Sequence, residues 1–253
     1  MQPQNLEYPK ISVITVCYNA VSTIERCIKS VIAQRYPNLE YIIIDGGSND
    51  GTLEVLSHYR DQISVLVSEK DKGIYDAMNK GIRLSTGGII GVLNADDFFA
   101  DEKILTLVYE TFEKHHPYIV YGDLDYLDGT GKTLRKWRSG DYKKGKFNFG
   151  WMPPHPTFYC KRELFDKLGD YSLAYGSAAD YELMARFIHL NGASVRYIPV
   201  VMVKMMVGGV SNRSIGNRVK ALMYDLKAMY KNKLFFPPMA LLLKPLRKVK
   251  QFF

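Results

Sequence analysis

The chain has 253 residues, of which 47% are hydrophobic and 24% charged, enough for one large α/β domain with a full hydrophobic core. Its formal net charge of +8 lies at the C-terminal end. Residues 213–253 carry ten Lys or Arg side chains against one acidic residue, Asp225, so this segment contributes +9 and the first 212 residues about −1. The main body of the chain therefore lacks the basic surface expected of a nucleic-acid-binding core.

Cysteine usage and the two chain ends predict a cytoplasmic setting. The three cysteines are Cys17, Cys27 and Cys160. They show no metal-binding or paired spacing, so we expect reduced thiols. Residues 1–10 contain no apolar segment typical of a signal peptide. The apolar run at 234–243 is short and interrupted by Pro237 and Pro238, which is too little to span a bilayer.

Apolar strands and amphipathic helices alternate in the first hundred residues. The pattern predicts strands over residues 11–17, 39–44, 63–67 and 84–93, and helices over residues 24–32, 53–59 and 74–82. Ser22 is a candidate cap for the first of these helices. This alternation is typical of βαβ units and of a doubly wound, mostly parallel sheet.

After Asp97 the pattern becomes less regular. It predicts helices over residues 102–113, 162–168 and 180–190, strands over 119–123, 155–160 and 194–203, and a hairpin joining 124–126 to 133–137. Asp101 is placed to cap the first of these helices, and Gly169 to end the second. Residues 142–151 are polar, basic and glycine-rich, which predicts a mobile loop.

Polar residues follow the ends of several predicted strands, where open α/β sheets bind their ligands. They are Thr15, Tyr18, Asn19, Asp45, residues 71–73, Asp96 and Asp97. No glycine-rich phosphate loop follows the first strand, so Tyr18 is available to stack on a base and Asp45 to accept a hydrogen bond from a base or ribose. The carboxylates of Asp96 and Asp97 suit a Mg²⁺ or Mn²⁺ ion that also binds phosphates, although one of them could cap the next helix. Together these residues predict a metal-dependent nucleotide-diphosphate site.

Five motifs resemble, in this order, those of family 2 glycosyltransferases of GT-A fold. They are TVCYN at 15–19, DGGSNDGT at 45–52, KGIYDAMNKG at 72–81, LNADD at 93–97 and ADYEL at 179–183. The resemblance implies inverting transfer from a nucleotide-diphosphate sugar, usually a UDP-sugar, with Mg²⁺ or Mn²⁺ as cofactor. It divides the chain into a GT-A catalytic domain, residues 1–211, and a basic amphipathic helical tail, residues 212–253.

The same resemblance implies roles for individual residues. It places Thr15, Tyr18, Asn19, Asp45, Asp71, Lys72, Asn79 and Asp96 in the nucleotide-sugar site. Asp96 and Asp97 match the metal-binding DxD motif, with Asp97 as the more direct ligand and Asp96 nearer the ribose and metal. Asp180 matches the catalytic base, and Ala179 before it is a departure, because many members have Glu there. From the residues alone, a helix N-cap is the favoured role of Asp180, because Asp is among the preferred cap residues.

Three further positions are candidates for the acceptor side. A lone histidine such as His155 is more often structural, but the family places polar residues here near the acceptor or diphosphate. Gly208 and Gly209 resemble a loop that closes over the donor, and a plain glycine turn is the alternative. Arg186 is predicted to pair with Asp180 or Glu182 on its own helix.

The tail combines helical spacing of apolar residues with many cations. Residues 215–230 could pack on the catalytic domain, whereas residues 234–253 combine apolar and aromatic residues with cations. Such a segment suits the surface of an anionic membrane. We therefore expect peripheral association with the inner face of the cytoplasmic membrane, and a glycan or lipid-linked glycan as acceptor.

The sequence thus predicts an inverting hexosyltransferase that moves a hexose or N-acetylhexosamine from a UDP-sugar in surface polysaccharide or lipopolysaccharide synthesis. One alternative is a sugar nucleotidyltransferase, which would need a glycine-rich, Arg-containing loop where Tyr18 and Asn19 stand. The other is a non-catalytic nucleotide-sugar-binding or membrane-scaffolding protein, and Asp96, Asp97 and Asp180 argue against it.

Overall fold

The computed structural model describes residues 8–206, 215–249 and 251. Within them the strands are β1 (Ile11–Cys17), β2 (Leu39–Asp45), β3 (Val65–Ser68), β4 (Ile89–Val92), β5 (Asp97–Phe99), β6 (Ile119–Leu127), β7 (Thr133–Trp137), β8 (Tyr159–Lys161) and β9 (Val195–Met206). The α-helices are α1 (Ile24–Ile32), α2 (Thr52–His58), α3 (Ile74–Leu84), α4 (Ile104–His115), α5 (Arg162–Leu168), α6 (Ala179–Met184), α7 (Ile215–Lys231) and α8 (Pro237–Val249). Helix α6 continues as a π-helical turn, Ala185–Leu190.

All the strands join one mixed sheet. Their order is β3-β2-β1-β4-β8-β6-β9-β5, with β7 paired to β6. The pairs among β3, β2, β1 and β4 are parallel, as is the pair of β6 with β9. Strand β8 is antiparallel to β4 and β6, and β5 is antiparallel to β9. Because Cys17 lies opposite Asp45, and Asp45 opposite Ser68, the first three strands end together at one edge.

The side-chain alternation along β1 explains how the sheet is covered on both faces. Ile14 and Val16 of β1 belong to the core layer that contains α3, α5, α6 and the C-terminal helices. Ile11 and Val13 belong to the opposite layer, which contains α1 and α4. Since successive residues of a strand point to opposite faces, one continuous apolar strand contributes to both layers.

Several predicted boundaries differ from the structure. Ser22 does not cap α1; the nearest side-chain bond there is from the Thr23 hydroxyl to the carbonyl oxygen of Ala20, 3.3 Å away. Strand β4 begins only at Ile89, because α3 runs to Leu84 and a glycine turn follows. The short strand β5, directly after the paired carboxylates, was not predicted. Residues 155–157 form a 3₁₀ turn before β8.

The segment 142–151 packs into the core and is not the mobile loop that its composition indicates. The side chains of Phe147 and Trp151 are 0% and 4% exposed. The indole Nε1 of Trp151 donates to the carbonyl oxygen of Ser139 at 3.0 Å. Aromatic burial therefore outweighs the polar character of the segment.

The C-terminal helices pack on the same core as the sheet. Ala228 and Met229 of α7 and Ala240 of α8 are fully buried. A Cβ atom added to Gly150 would lie 2.5 Å from the backbone nitrogen of Lys244, so only glycine allows α8 this close approach. None of the helices in the described ranges combines the length and apolar character needed to cross a bilayer.

Candidate active site

The loops after β1 and β2 are tied together by Asn19. Its backbone lies in the left-handed region at φ 49°, which Asn tolerates better than most residues. Its backbone N–H donates to Ser48 Oγ at 2.8 Å, and its Oδ1 accepts from the backbone N–H of Asn49 at 3.0 Å. Beside it, the ring of Tyr18 is 65% exposed. Asn19 thus holds the turn, and Tyr18 provides an accessible aromatic surface.

Asp45 anchors the loop after β2. Its carboxylate is fully buried and accepts hydrogen bonds from the backbone N–H groups of Gly47 and Ser48 and from the hydroxyls of Ser48 and Ser68. Burial acts to raise the pKa of Asp45, but the hydrogen bonds from Ser48 and Ser68 outweigh it and hold the pKa below the usual carboxyl range. The predicted contact of this carboxylate with a base or ribose stays a prediction.

Thr15 and Asn79 are also structural. Thr15 is 0% exposed, and its hydroxyl accepts a hydrogen bond from the Tyr41 hydroxyl at 3.2 Å, so its side chain does not reach the sheet edge. The Asn79 amide donates to the carbonyl oxygen of Tyr171 at 2.8 Å and accepts from its backbone N–H at 2.9 Å. The structure gives their polar side-chain atoms internal partners, and their predicted roles in nucleotide-sugar binding stay predictions.

Tyr18, Gly46 and Asp71 surround a narrow space at the ends of β1, β2 and β3, which we call the β1–β3 rim. A Cβ atom added to Gly46 would lie 2.6 Å from Asp71 Oδ2 and 3.4 Å from Tyr18 Cδ2. Asp71 Oδ1 accepts from the backbone N–H of Gly73 at 2.7 Å, and Lys72 is exposed. The structure therefore brings an aromatic face, a carboxylate and a cation together at the predicted nucleotide position.

The two adjacent carboxylates have different environments. Asp97 is fully buried, whereas Asp96 is partly exposed. Burial, followed by the charge of Asp96, raises the pKa of Asp97 well above the usual carboxyl range. Asp97 was predicted to be the more direct metal ligand, but the accessible carboxylate is that of Asp96.

The turn from Asn94 to Asp97 has the oxygen atoms that a hard cation needs. Its backbone is closed by the N–H of Asp97 donating to the carbonyl oxygen of Asn94 at 3.0 Å. Oδ1 of Asn94 and Oδ1 of Asp97 are buried and have no hydrogen-bond partner among the described residues. Across those residues, no three or more His, Cys, Asp or Glu side chains gather in an arrangement that could hold a metal ion. The turn therefore fits an ion that takes its remaining ligands from phosphate oxygens.

Asp180 lies inside the first turn of α6, because the helix begins at Ala179. It is partly exposed, and its Oδ1 accepts from the backbone N–H of Tyr181 at 2.7 Å. Burial and then the charge of Asp180 raise the pKa of the Tyr75 hydroxyl. Asp180 is thus a carboxylate with an accessible side and a tyrosine beside it, and not an N-cap.

His155 and Tyr171 complete what we call the Asp180 cluster, which consists of Tyr75, His155, Tyr171 and Asp180. His155 Nε2 and the Tyr171 hydroxyl are 2.7 Å apart, and the rings of Tyr75 and Tyr171 are 5.5 Å apart. Burial lowers the pKa of His155, and the charge of Asp180 partly opposes this shift. The imidazole is therefore neutral at pH 7, next to the candidate base.

Tyr126 of β6 is influenced both by the turn from Asn94 to Asp97 and by the Asp180 cluster. Burial raises its pKa, the nearby Arg135 lowers it, and the charges of Asp97 and Asp180 both raise it. Both carboxylates therefore lie within electrostatic reach of one hydroxyl, although they are far apart in the sequence.

A buried ion pair that sequence reasoning left ambiguous supports the cluster. Arg186 pairs with Glu182 at 3.1 Å, not with Asp180, and the pair is almost wholly buried. Its guanidinium also donates to the carbonyl oxygens of Gly169 and Asp170 at 2.8 Å each, directly before Tyr171. Sequence reasoning missed Tyr75, Tyr126 and Tyr171, since a single tyrosine has no spacing signature. The predicted lid residues Gly208 and Gly209 lie outside the described residues.

The amino-acid sequence is similar to a known protein family and to several curated proteins. The sequence profile described as "Glycosyl transferase family 2" matches residues 12–176. A "PGL/p-HBAD biosynthesis glycosyltransferase" of Mycobacterium bovis (strain BCG / Pasteur 1173P2) is 29% identical over 209 residues, covering 81% of this chain and 80% of the relative. A glycosyltransferase of Mycobacterium tuberculosis (strain ATCC 25618 / H37Rv), named as uncharacterized, is 33% identical over 188 residues, covering 70% and 68%.

Solved structures show the same fold. Staphylococcus aureus TarS 1–349 in complex with UDP superposes with a TM-score of 0.68 at 16% identity, over 93% of this chain and 69% of TarS. The mannosyltransferase PcManGT from Pyrobaculum calidifontis, in complex with GDP-Man and Mn²⁺, superposes with a TM-score of 0.66 at 19% identity, over 95% and 74%. The α/β sheet described above is thus a GT-A fold, as the sequence predicts.

Proposed function

Because the chain belongs to glycosyl transferase family 2, we propose that it moves a hexose or N-acetylhexosamine from a UDP-sugar to a hydroxyl of a glycan or lipid-linked glycan acceptor. The observation that carries this proposal is the turn from Asn94 to Asp97, where two buried oxygens without partners among the described residues accompany the partly exposed carboxylate of Asp96. A role in surface polysaccharide or lipopolysaccharide synthesis is supported by the related mycobacterial protein, whose name refers to PGL/p-HBAD biosynthesis.

The β1–β3 rim supports binding of the nucleoside. Tyr18 offers a ring for stacking, and Asp71 offers a carboxylate that can accept from a base N–H or a ribose hydroxyl. Lys72 directly follows Asp71, and its cationic side chain can pair with the diphosphate. TarS has been solved with UDP and UDP-GlcNAc and PcManGT with GDP-Man, so both uridine and guanosine donors occur among structures of this fold.

Asp96, with Oδ1 of Asn94 and Oδ1 of Asp97, would hold the divalent cation. When bound, Mg²⁺ or Mn²⁺ neutralises negative charge on the diphosphate leaving group. The structure of PcManGT with Mn²⁺ supports this assignment. The two buried oxygens without partners in the described residues, Oδ1 of Asn94 and of Asp97, are explained by the same ion, since buried polar atoms normally have a partner.

Asp180 acts as the general base. The acceptor oxygen attacks the anomeric carbon on the face opposite the diphosphate, and its proton passes to the Asp180 carboxylate as the bond from the anomeric carbon to the diphosphate oxygen breaks. This single displacement inverts the anomeric configuration. The hydrogen bond from the backbone N–H of Tyr181 to Oδ1 of Asp180 orients the carboxylate. Ala179, which stands where many family members have Glu, has no polar side chain to do so.

The outer surface of α7 and α8 supports peripheral membrane association. Nine apolar side chains of α7, α8 and the segment between them are exposed: Val219, Leu222, Met223, Tyr230, Phe235, Phe236, Leu242, Leu246 and Val249. We call them the apolar face. Exposed cations such as Arg218, Lys220 and Lys231 lie on α7. An apolar surface with adjacent cations suits an anionic lipid surface, and we place the enzyme at the inner face of the cytoplasmic membrane.

Thermal unfolding with nucleotides tests the proposal. UDP, GDP, dTDP and CDP are each added with and without Mn²⁺ to the wild type and to Asp96→Asn. A nucleotide at about 100 times its dissociation constant adds roughly 2.7 kcal/mol of stability. We expect this increase with UDP and Mn²⁺, and its loss in Asp96→Asn.

Turnover of UDP-sugars with lipid-linked acceptors then separates the remaining functions. Nucleotide binding without any turnover would favour the non-catalytic binding protein. Release of pyrophosphate from a sugar phosphate and a nucleoside triphosphate would favour the nucleotidyltransferase. Stabilisation by a nucleotide other than UDP would keep glycosyl transfer as the proposed function and change only the proposed donor.

A further inference from the structure

A cavity of about 240 Å³ lies between β7, the loop at 150–152 and α8, apart from the residues assigned above. Its walls contain four cations and both tryptophans of the chain: Lys136, Arg138, Lys244, Arg247, Trp137 and Trp151. No carboxylate is among its described lining residues. A concave space with cationic and aromatic walls is suited to an anionic ligand that also has apolar or sugar surface.

Two of the four cations are left without a carboxylate partner. Arg138 pairs with Asp125 at 2.6 Å, and Lys244 pairs with Asp225 at 2.6 Å. Among the described residues, neither Lys136 nor Arg247 forms an ion pair with an acidic side chain; Arg247 Nε donates only to the backbone oxygen of Phe149, at 2.8 Å. The cavity thus retains positive charge that no carboxylate among residues 8–206, 215–249 and 251 neutralises.

The walls are fixed by packing and by backbone hydrogen bonds. Gly150, at φ +71°, lies so close to α8 that a Cβ atom there would be 2.7 Å from the carbonyl oxygen of Ala240. The backbone N–H of Lys136 donates to the carbonyl oxygen of Gln251 at 2.7 Å, and Trp151 is 4% exposed. These contacts hold β7, the loop and α8 in one arrangement, so the cavity is preformed.

Arg135 connects the Trp137 wall of the cavity with Tyr126 of β6. The guanidinium of Arg135 lies 4.0 Å from the ring centroid of Tyr126 and 5.6 Å from that of Trp137. Tyr126 in turn lies within electrostatic reach of Asp97 and Asp180. The Arg135 side chain therefore lies between Tyr126 and the Trp137 wall of the cavity.

We propose that this cavity binds a phosphate group of the acceptor through Lys136 and Arg247, with Trp137 and Trp151 packing against the adjoining sugar or alkyl part. Its role as an acceptor subsite rests on the proposed glycosyl transfer, whereas phosphate binding by the cavity does not. The phosphate could belong to a membrane lipid carrier or to a soluble phosphorylated glycan. Both present the same charged group to the same two cations.

Tryptophan fluorescence tests the proposal directly, because the only two tryptophans of the chain line the cavity. The full-length protein is titrated with sn-glycerol 1-phosphate and with phosphatidylcholine vesicles with and without phosphatidic acid. The variant Lys136→Gln/Arg247→Gln removes the two cations, and Lys29→Gln/Arg35→Gln makes the same charge change at exposed positions on the other side of the sheet. Circular dichroism and thermal unfolding check that each variant is folded.

We expect a saturable emission change with wild type and control, weakened about tenfold or more in Lys136→Gln/Arg247→Gln, because each lost charge-assisted hydrogen bond has at least that effect. A response to glycerol phosphate identifies a soluble phosphate as sufficient. A response to phosphatidic acid vesicles alone, lost in the same variant, identifies a lipid phosphate. No response to any phosphate probe, or equal responses of both double variants, overturns the proposal.

The titration needs neither donor nor turnover, so its outcome is independent of the proposed function. If transfer is also observed, the double variant should raise the KM for a phosphate-bearing acceptor and leave kcat and the donor KM unchanged. If Lys136→Gln/Arg247→Gln is unfolded, Lys136→Arg and Arg247→Lys serve instead, and each should retain phosphate binding. A loss of binding in these folded charge-conserving variants would contradict the charge-based assignment.

Discussion

Polar side chains at the β1–β3 rim mostly bind one another, whereas those of the Asp180 cluster and the adjoining cavity retain accessible or unneutralised groups. At the rim, Asp45 is saturated by the hydroxyls and amides of its own loop, and Asn19 bridges two loops. In the second region Asp180 is partly exposed, and Lys136 has no acidic partner within the described part of the chain. A residue of a sequence motif can thus serve to build its loop. The neighbouring side chains are then the ones available to a ligand.

The largest expected effect comes from Asp180→Asn, which tests the catalytic assignment of the second region. The amide keeps the shape of the carboxylate but cannot take a proton, so we expect turnover to fall by roughly 10²–10⁴-fold. Nucleotide-induced stabilisation should remain unchanged, because the β1–β3 rim is intact. Steady-state kinetics and thermal unfolding measure the two quantities. Asp166→Asn, on the exposed surface of α5, is the matched control, and equal turnover in the two variants would refute the assignment.

The next effect compares Asp45→Asn with Asp96→Asn by chemical denaturation. In Asp45→Asn a buried acceptor of hydrogen bonds is replaced by a group that donates toward Ser48 or Ser68, so the free energy of unfolding should fall by about 3 kcal/mol. In Asp96→Asn the changed side chain is partly exposed, and we expect a change within about 0.5 kcal/mol. Metal-dependent nucleotide binding should be weakened more by Asp96→Asn than by Asp45→Asn. A large loss of stability in Asp96→Asn would show that this carboxylate, too, serves the fold.

A smaller effect is expected for substitutions in the apolar face of the C-terminal helices, the surface proposed to contact a membrane. Leu242 and Leu246 of α8 are 71% and 60% exposed, one helical turn apart. Because each buried leucine contributes roughly 1.5–3 kcal/mol, Leu242→Ser/Leu246→Ser should reduce co-sedimentation with anionic liposomes about tenfold or more. Leu53→Ser/Leu84→Ser makes the same change at exposed leucines of α2 and α3. If all three proteins sediment equally, the apolar face does not bind lipid.

Sequence reasoning identified the elements and the motifs better than the direction of individual side chains. Strand β1 follows from apolar periodicity, and the structure agrees. The roles of residues 96, 97 and 180 follow from the resemblance and stay predictions. Which of two adjacent carboxylates is buried depends on how the turn from Asn94 folds into β5, and a three-residue strand has no periodic signature. The cavity depends on the seating of α8 against Gly150, a long-range contact that local sequence does not encode.

The smallest expected effect concerns the pH dependence of stability through His155. Its pKa in the folded chain is lowered by burial, from an unfolded value near 6.5. The unfolded chain therefore binds more protons below about pH 6.5, so the contribution of the neutral imidazole is complete above that pH and is lost as the pH falls through the lowered pKa. His155→Gln removes this contribution, and wild type should lose stability more steeply than the variant on acidification, measured by urea unfolding between pH 7 and pH 5. The exposed His58→Gln is the control and should follow wild type.

The same measurement in Asp180→Asn connects His155 to the base. The charge of Asp180 opposes the lowering of the His155 pKa, so removing that charge should lower the pKa further and widen the pH range over which stability is lost. An unchanged pH dependence in Asp180→Asn would mean that the two groups do not interact in solution. A steeper and longer loss would show that the charge of the proposed base is felt at the imidazole, as it must be if both line one acceptor pocket.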